Sequence, residues 1–303
     1  MEFKITKAED GHVLRSFLKD TLGLSARTVS ALKKRAGGIR LDGVPVTVRA
    51  ILCEGSVLHL ALEDEKSNEN LVARELPLTL LFEDEAITVC AKSGDMPTHP
   101  SHGHYEDTLA NALAFRYRDR PYVFRAITRL DRETSGVVLT ARTALAAERL
   151  SRAMREGAIA KTYLALVGGT PPACGEIDLP IRRKEGSVML REVHPEGAPA
   201  RTRFCRLATG NGVSLLAVFP LTGRTHQIRL HLSASGFPIL GDCLYGRACD
   251  GVARTMLHAA RIVFPHPSGG RAMALTAPIP EDLSTLLLRY GLPPVDLGAL
   301  PTE

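Results

Sequence analysis

At 303 residues, 45% of them hydrophobic, the chain is long enough for a sizeable core and for about two domains. Its formal net charge of +5 permits an anionic partner without demanding one, so where the charges sit matters more than their sum. No run of about 18 apolar residues occurs and Met1-Glu2-Phe3-Lys4 lacks the apolar core of a signal peptide, which excludes a membrane-spanning helix and makes a cytoplasmic location the expectation.

The first sixty residues form their own unit. Gly11 to Leu22 reads as one short helix. Ser25 caps a second, in which Val29, Leu32 and Ala36 follow the helical period while Arg27, Lys33, Lys34 and Arg35 occupy other faces. Gly37-Gly38 stops it. Ile39-Arg40-Leu41, the Asp42-Gly43 turn and the alternating Val44, Val46 and Val48 then make a hairpin. Basic helix faces beside a small sheet suit phosphate contacts, although a solvated charged helix is the plainer reading of the same residues. The polar run Glu63 to Asn70 reads as a linker. The expected division is therefore a unit over 1–62, a linker over 63–77 and a larger unit over 78–303.

In the larger unit, Thr79 to Phe82 and Ala86 to Cys90 flank the acidic turn Glu83-Asp84-Glu85 as a hairpin or strand bend. Helices are expected near 107–117 and 143–156, strands at 136–141, 161–167, 203–209, 213–220 and 272–276, and a further helix from near Arg224. Strands and helices without regular alternation make the class α+β with a largely antiparallel sheet.

Three segments of this unit carry chemistry. Arg129-Leu130-Asp131-Arg132-Glu133-Thr134-Ser135-Gly136, followed by Val137-Val138-Leu139, puts one carboxylate at a tight polar bend. The flanking arginines keep such a carboxylate ionised and available as a nucleophile. Taken alone, the bend is also ordinary turn chemistry. Lys161-Thr162-Tyr163 opens a strand with a tyrosine beside a base, and the plainer reading of Tyr163 is a half-buried strand residue. Gly223-Arg224-Thr225-His226-Gln227-Ile228-Arg229-Leu230-His231-Leu232 packs two Arg and two His where a strand turns into a helix.

In this order the three segments resemble the pseudouridine synthases of the large-ribosomal-subunit type. Their pattern is Arg-Leu-Asp-x-x-Thr-Ser-Gly, a Lys-x-Tyr strand, then Gly-Arg-Thr-His-Gln-Ile-Arg. Supporting matches run through Gly241-Asp242-Cys243-Leu244-Tyr245-Gly246 and Leu257-His258-Ala259. Two positions depart from the pattern. Thr128 stands where the family usually has His, and Lys92-Ser93-Gly94-Asp95 replaces Lys-Pro-x-Gly, for which a looser loop is expected. The N-terminal unit, with Leu41-Asp42-Gly43 and Glu54-Gly55-Ser56-Val57-Leu58, resembles the αL-motif RNA-binding domain.

The resemblance implies a mixed central sheet with the active site in a cleft across it. It also implies isomerisation of uridine to pseudouridine in structured RNA without a cofactor, ribosomal RNA ahead of transfer RNA. Asp131 is the implied nucleophile and Arg229 the partner that holds it deprotonated. Tyr163 would stack on the uracil and serve proton transfer at carbon-5, and Arg129 would fill the gap left by the flipped base. Arg27, Lys33, Lys34, Arg129, Lys161, Arg224 and His226 are the expected RNA contacts. The plainer readings are a phosphate contact or surface ion pair for Arg129 and a helix-surface salt bridge for Arg229.

An RNA-binding or ribosome-assembly protein without activity is the competing class, favoured by Thr128 alone. An aspartic protease is not, since that chemistry needs Asp directly before Thr and a second carboxylate to share a proton. No metal is expected at His99, His102 and His104, which are interleaved with Pro and Gly and lack an acidic or thiol ligand. Cys53, Cys90, Cys174, Cys205, Cys243 and Cys249 read as reduced packing residues, and a monomer is the default.

Overall fold

Four short strands, β1 (Glu2–Lys4), β2 (Ile39–Leu41), β3 (Val44–Pro45) and β4 (Val57–Leu60), form an antiparallel sheet in the order β1-β4-β2-β3 at the N-terminal end of the computed structural model. Residues 1–63, 67–246 and 251–301 are described. Asp42 and Gly43 take φ of 50° and 81°, the left-handed pair that a two-residue hairpin turn needs. The first helix begins later than its sequence pattern indicates. Gly11 has φ of 74°, outside a right-handed helix, so α1 (Leu14–Ser16) starts three residues on and runs into a π-helical turn over Phe17–Thr21. α2 (Ala26–Lys34) is capped by Ser25, whose Oγ accepts from the Thr28 N–H at 3.2 Å.

The small core of Leu14, Leu18, Leu32, Leu58 and Leu60 also takes in Leu145 from the larger unit. Beside it, the Ser25 and Thr28 hydroxyls donate to the Glu148 carboxylate, the former at 2.7 Å. The N-terminal unit is therefore seated on the larger one. The segment expected as a linker is tied down as well. Ser67 and Asn68 accept from the Tyr122 and Phe124 N–H groups at 3.0 and 2.8 Å, and the Asn111 amide donates to the Val72 carbonyl at 2.7 Å. Its polar side chains serve as hydrogen-bond anchors.

The larger unit is built from β5 (Thr79–Glu83), β6 (Ile87–Lys92), α3 (Leu109–Arg116), β7 (Ser135–Ala141), α4 (Ala144–Arg155), β8 (Ala160–Gly168) and β9 (Cys174–Asp178). It continues through β10 (Ile181–Arg183), β11 (Arg191–Val193), β12 (Arg201–Gly210), β13 (Val213–Pro220), α5 (Gln227–Ala234), β14 (Leu257–Pro265), β15 (Ala272–Thr276) and α6 (Glu281–Arg289). Nine of these strands make one sheet in the order β5-β6-β7-β14-β8-β13-β12-β9, with β15 added on β14. All its pairings are antiparallel except β7 with β14, which run parallel through His258 opposite Ser135 and Ala259 opposite Gly136. The class is α+β with a mixed, largely antiparallel sheet, as its pattern indicates.

Every residue of β7 is buried, the mark of a strand covered on both faces. Val138 packs with Leu113, Ile228 and Leu286 on the side of α3, α5 and α6, while Val137 and Leu139 pack with Leu150 and Ala153 of α4 on the other. The parallel junction explains one motif glycine. A Cβ on Gly136, whose φ is 117°, would lie 2.2 Å from the Ala259 carbonyl oxygen of β14, so only glycine lets the two backbones meet there.

One cysteine reading is corrected. Cys174 and Cys205 stand directly opposite each other on β9 and β12, 4.1 Å apart at Cα, and are joined in a disulfide. Spacing along the chain carries no trace of that juxtaposition, which strand register alone creates. Cys90 is buried, which pushes its thiol up to about 12, Cys53 and Cys243 are exposed, and Cys249 lies outside the described residues.

Candidate active site

The bend before β7, the start of β8 and the turn from β13 into α5 converge on one cleft of about 100 Å3 at the middle of the sheet. Asp131, Tyr163 and Arg229 line it together with Arg129, Lys161, Arg224 and His226. Arg27, Lys33 and Lys34 do not reach it. They lie exposed on α2.

The Asp131 bend is fixed from below. Its carbonyl accepts from the Thr134 N–H at 3.1 Å, and the Thr98 hydroxyl both donates to the Leu130 carbonyl at 2.9 Å and accepts from the Leu130 N–H at 3.1 Å. Buried Lys92 donates to the carbonyls of Ser93, Met96 and Arg132 at 2.7, 2.6 and 3.1 Å. Burial, then the Arg254 charge, pull its ammonium down to about 7, against which Asp131 and Asp95 work. These three carbonyl contacts staple the Lys-Ser-Gly-Asp loop to the bend, so it is not loose. Arg254 donates to the Glu133 carbonyl at 2.9 Å while its fork grips Asp282 of α6 at 2.6 and 2.9 Å. Thr128 takes up a structural place, its Oγ1 accepting from the Leu139 N–H at 2.9 Å.

Asp131 itself is part-exposed, 29% at the side chain, and faces Arg229 Nη1 at 3.5 Å and His226 Nε2 at 4.0 Å. Arg229 is nearly buried, at 4% exposure. Its two-pronged bond is not with Asp131. Nε and Nη2 donate to Oδ2 and Oδ1 of Asp242 at 2.8 and 2.7 Å, which leaves Nη1 to reach Asp131. Burial opposes the Arg229 charge, yet hydrogen bonding and charge from Asp242, then Asp131, raise its pKa. Burial would likewise push the Asp242 carboxyl up, but Arg229 and the Tyr245 and Leu244 N–H groups hold it below the ordinary carboxylate value. Asp242 is thus the anchor that the sequence pattern carried without a role.

His226 has φ of 57° at the N-terminal cap of α5, so the helix begins at Gln227 rather than near Arg224. Its Nδ1 pairs with the Tyr245 hydroxyl at 2.9 Å, and burial lowers its pKa, partly offset by Asp131, which keeps the ring neutral near pH 7. Gln227 fixes the turn from inside, accepting from the Thr222 hydroxyl and the Arg224 N–H at 2.7 and 3.0 Å. Tyr163 is 8% exposed, and burial with the Asp131 charge raises its pKa, so the phenol keeps its proton. At the mouth, exposed Arg129 donates to the Thr225 hydroxyl at 2.8 Å and Arg224 to the Pro199 carbonyl at 3.1 Å. His104, one of the three clustered histidines, bridges Asp107 and Arg132 at 2.6 and 3.0 Å.

Such a cleft presents one carboxylate held by a fixed cation, a neutral phenol beside it and basic residues at the rim. That arrangement suits covalent or electrostatic attack on an uncharged ring carried on an anionic chain. The profile of the RNA pseudouridylate synthase family matches residues 86–234. An RNA pseudouridine synthase of Bacillus subtilis is 35% identical over 269 residues, 88% of this chain and 95% of its own. Ribosomal large subunit pseudouridine synthase D of Vibrio cholerae is 36% identical over 274 residues, 84% of either chain. Among solved structures, the human RNA pseudouridylate synthase domain containing 1 superposes with a TM-score of 0.57 at 25% identity, over 76% of this chain and 98% of its own.

Proposed function

Because the chain belongs to the RNA pseudouridylate synthase family, isomerases that act on RNA, we propose that Asp131 is its nucleophile and ribosomal RNA its substrate. The observation that carries the first part is the meeting of Asp131, Tyr163 and Arg229, from three separate elements, in one small cleft. Pseudouridine formation breaks the bond from ribose to ring nitrogen, turns the uracil and joins ribose to carbon-5, and carbon-5 loses a proton while the freed ring nitrogen gains one. The product is an isomer, so no oxidant or energy source enters. The Asp131 carboxylate, which Arg229 Nη1 faces at 3.5 Å and orients, supplies the attack. Tyr163 offers its ring to one face of the uracil and, since its phenol stays protonated, serves carbon-5 as a proton relay rather than as a free phenolate. Arg129, exposed at the rim, takes the space that the target base leaves in the RNA stack.

The names of relatives such as ribosomal large subunit pseudouridine synthase D of Vibrio parahaemolyticus, 34% identical over 283 residues, favour ribosomal over transfer RNA. Mapping of pseudouridine in both RNA classes, from cells with and without the protein, tests this. The expected result is loss at one or a few large-subunit ribosomal uridines. Loss confined to transfer RNA would redirect the substrate.

We further infer that residues 1–62 are an αL-type RNA-binding domain whose exposed Arg27, Lys33 and Lys34 meet phosphates. Replacing all three with Gln is expected to weaken RNA binding about tenfold and to lower the slope of affinity against salt by about 2. The single-turnover rate at saturating RNA should hold within about twofold. An unchanged salt slope would remove these residues from the interface.

A further inference from the structure

A second cavity of about 500 Å3 opens beside the active-site cleft and shares with it a wall formed by Arg129, Lys161, Tyr163, Pro220, Thr222 and Gly223. Its remaining lining is largely apolar, with Ile127, Met154, Ile159 and Leu221. The threonine hydroxyls of the cavity, on Thr128 and Thr222, are already engaged. Thr128 accepts from the Leu139 N–H at 2.9 Å, and Thr222 accepts from the Arg201 N–H at 3.0 Å and donates to Gln227 at 2.7 Å. Among the described residues no carboxylate acts on Lys161 in the shared wall, and burial pulls its ammonium below the ordinary lysine value. A mostly buried cation that lacks a counter-charge is costly until an anion meets it.

We propose that this cavity is a subsite for the base of the nucleotide directly beside the target uridine, with Lys161 on the phosphate that joins the two. The inference rests on the reading of the neighbouring cleft as the uridine site. The same side chains line both cavities, so a chain with uracil on one side carries its next base to the other and its phosphate between. The side chains of Ile127, Met154, Ile159 and Leu221 cover the faces of an unstacked base, while the engaged hydroxyls of Thr128 and Thr222 leave little to read the base edge. The site therefore selects for an unpaired neighbour and tolerates any base. Its targets are uridines in loops or bulges with at least one adjacent nucleotide free of pairing. On the far side, Arg125 and Arg155, near neighbours in the chain of Ile127 and Met154, line a cleft shared with Arg27 of α2. That cleft leads the RNA backbone toward the N-terminal unit.

The test is equilibrium binding of nine-nucleotide single-stranded RNAs with one central uridine to the full-length protein, an abasic residue being moved through every flanking position. The largest loss, about tenfold in Kd, is expected at one position directly beside the uridine. Changing the base there among the four natural ones should move Kd less than about threefold. Met154→Trp, which fills the cavity, should bind the base-bearing and abasic RNAs alike. Lys161→Gln provides a second variant, expected to weaken both RNAs about equally and to lower the salt slope by about 0.7. An even spread of losses along the RNA, a loss that persists in Met154→Trp, or an unchanged salt slope in Lys161→Gln overturns the proposal. None of these readings needs turnover. Failure of the wild-type protein to make pseudouridine in any RNA would sink the catalytic reading instead.

Discussion

Asp131→Asn is expected to reduce the single-turnover rate of pseudouridine formation by about a thousandfold or more while Kd for RNA changes less than about threefold. The amide keeps the volume and shape of the carboxylate but removes its charge and turns one of its two acceptor oxygens into a donor NH2. The bend itself would persist, since Thr98, Lys92 and Arg254 hold its backbone through Leu130, Arg132 and Glu133 and not through the Asp131 side chain. Asp131→Glu sharpens the test. It retains the charge but advances the oxygens by one methylene toward Arg229, and a displacement of about 1 Å at a reacting atom is worth about a hundredfold in rate. A purified Asp131→Asn protein with a rate within tenfold of wild type would show that another group attacks.

Arg229→Ala should lose at least about a hundredfold in rate and, unlike Asp131→Asn, about 3–5 kcal/mol in stability, because it strands the buried Asp242 carboxylate without its fork. The pH dependence has a definite sign. In the wild-type protein the folded value of Asp242 lies below its ordinary one of 3.8. The stabilisation from this pair is therefore present above about pH 4 and fades as pH falls through the lower, folded value. In the variant, burial without a counter-charge lets Asp242 take up its proton at higher pH. The stability deficit against wild type should be largest near pH 7 and narrow on acidification. Arg229→Lys should recover little of either property, as an ammonium has no planar fork to hold Asp242 with two nitrogens and present a third to Asp131. Urea unfolding at a series of pH values, beside single-turnover rates, checks both parts. A deficit independent of pH would mean that Asp242 is not what Arg229 holds.

What could be read from the residues alone follows from the range over which each signal acts. Hydrophobic period, the Ser25 cap and the Asp42-Gly43 turn are local, and α2, the N-terminal hairpin and β7, β8 and β13 lie where those signals put them. The three motifs likewise singled out Asp131, Tyr163 and Arg229, because each sits in its own run of distinctive residues. Only the tertiary structure decided what those groups touch. Arg229 grips Asp242 from thirteen residues away, and Lys92 reaches the Arg132 carbonyl across a separation of forty. Arg254 is set between Asp282 and the bend by the path of β14 and α6, and Cys174 meets Cys205 through the register of β9 and β12. Thr128 shows the same limit from the other side, since its hydroxyl serves a backbone N–H of β7 that only strand pairing brings near. A guanidinium or an ammonium carries its charge wherever the chain takes it, but which carboxylate or carbonyl it meets depends on the order and register of the strands. Those are set by packing summed over the whole sheet rather than by any short stretch of sequence.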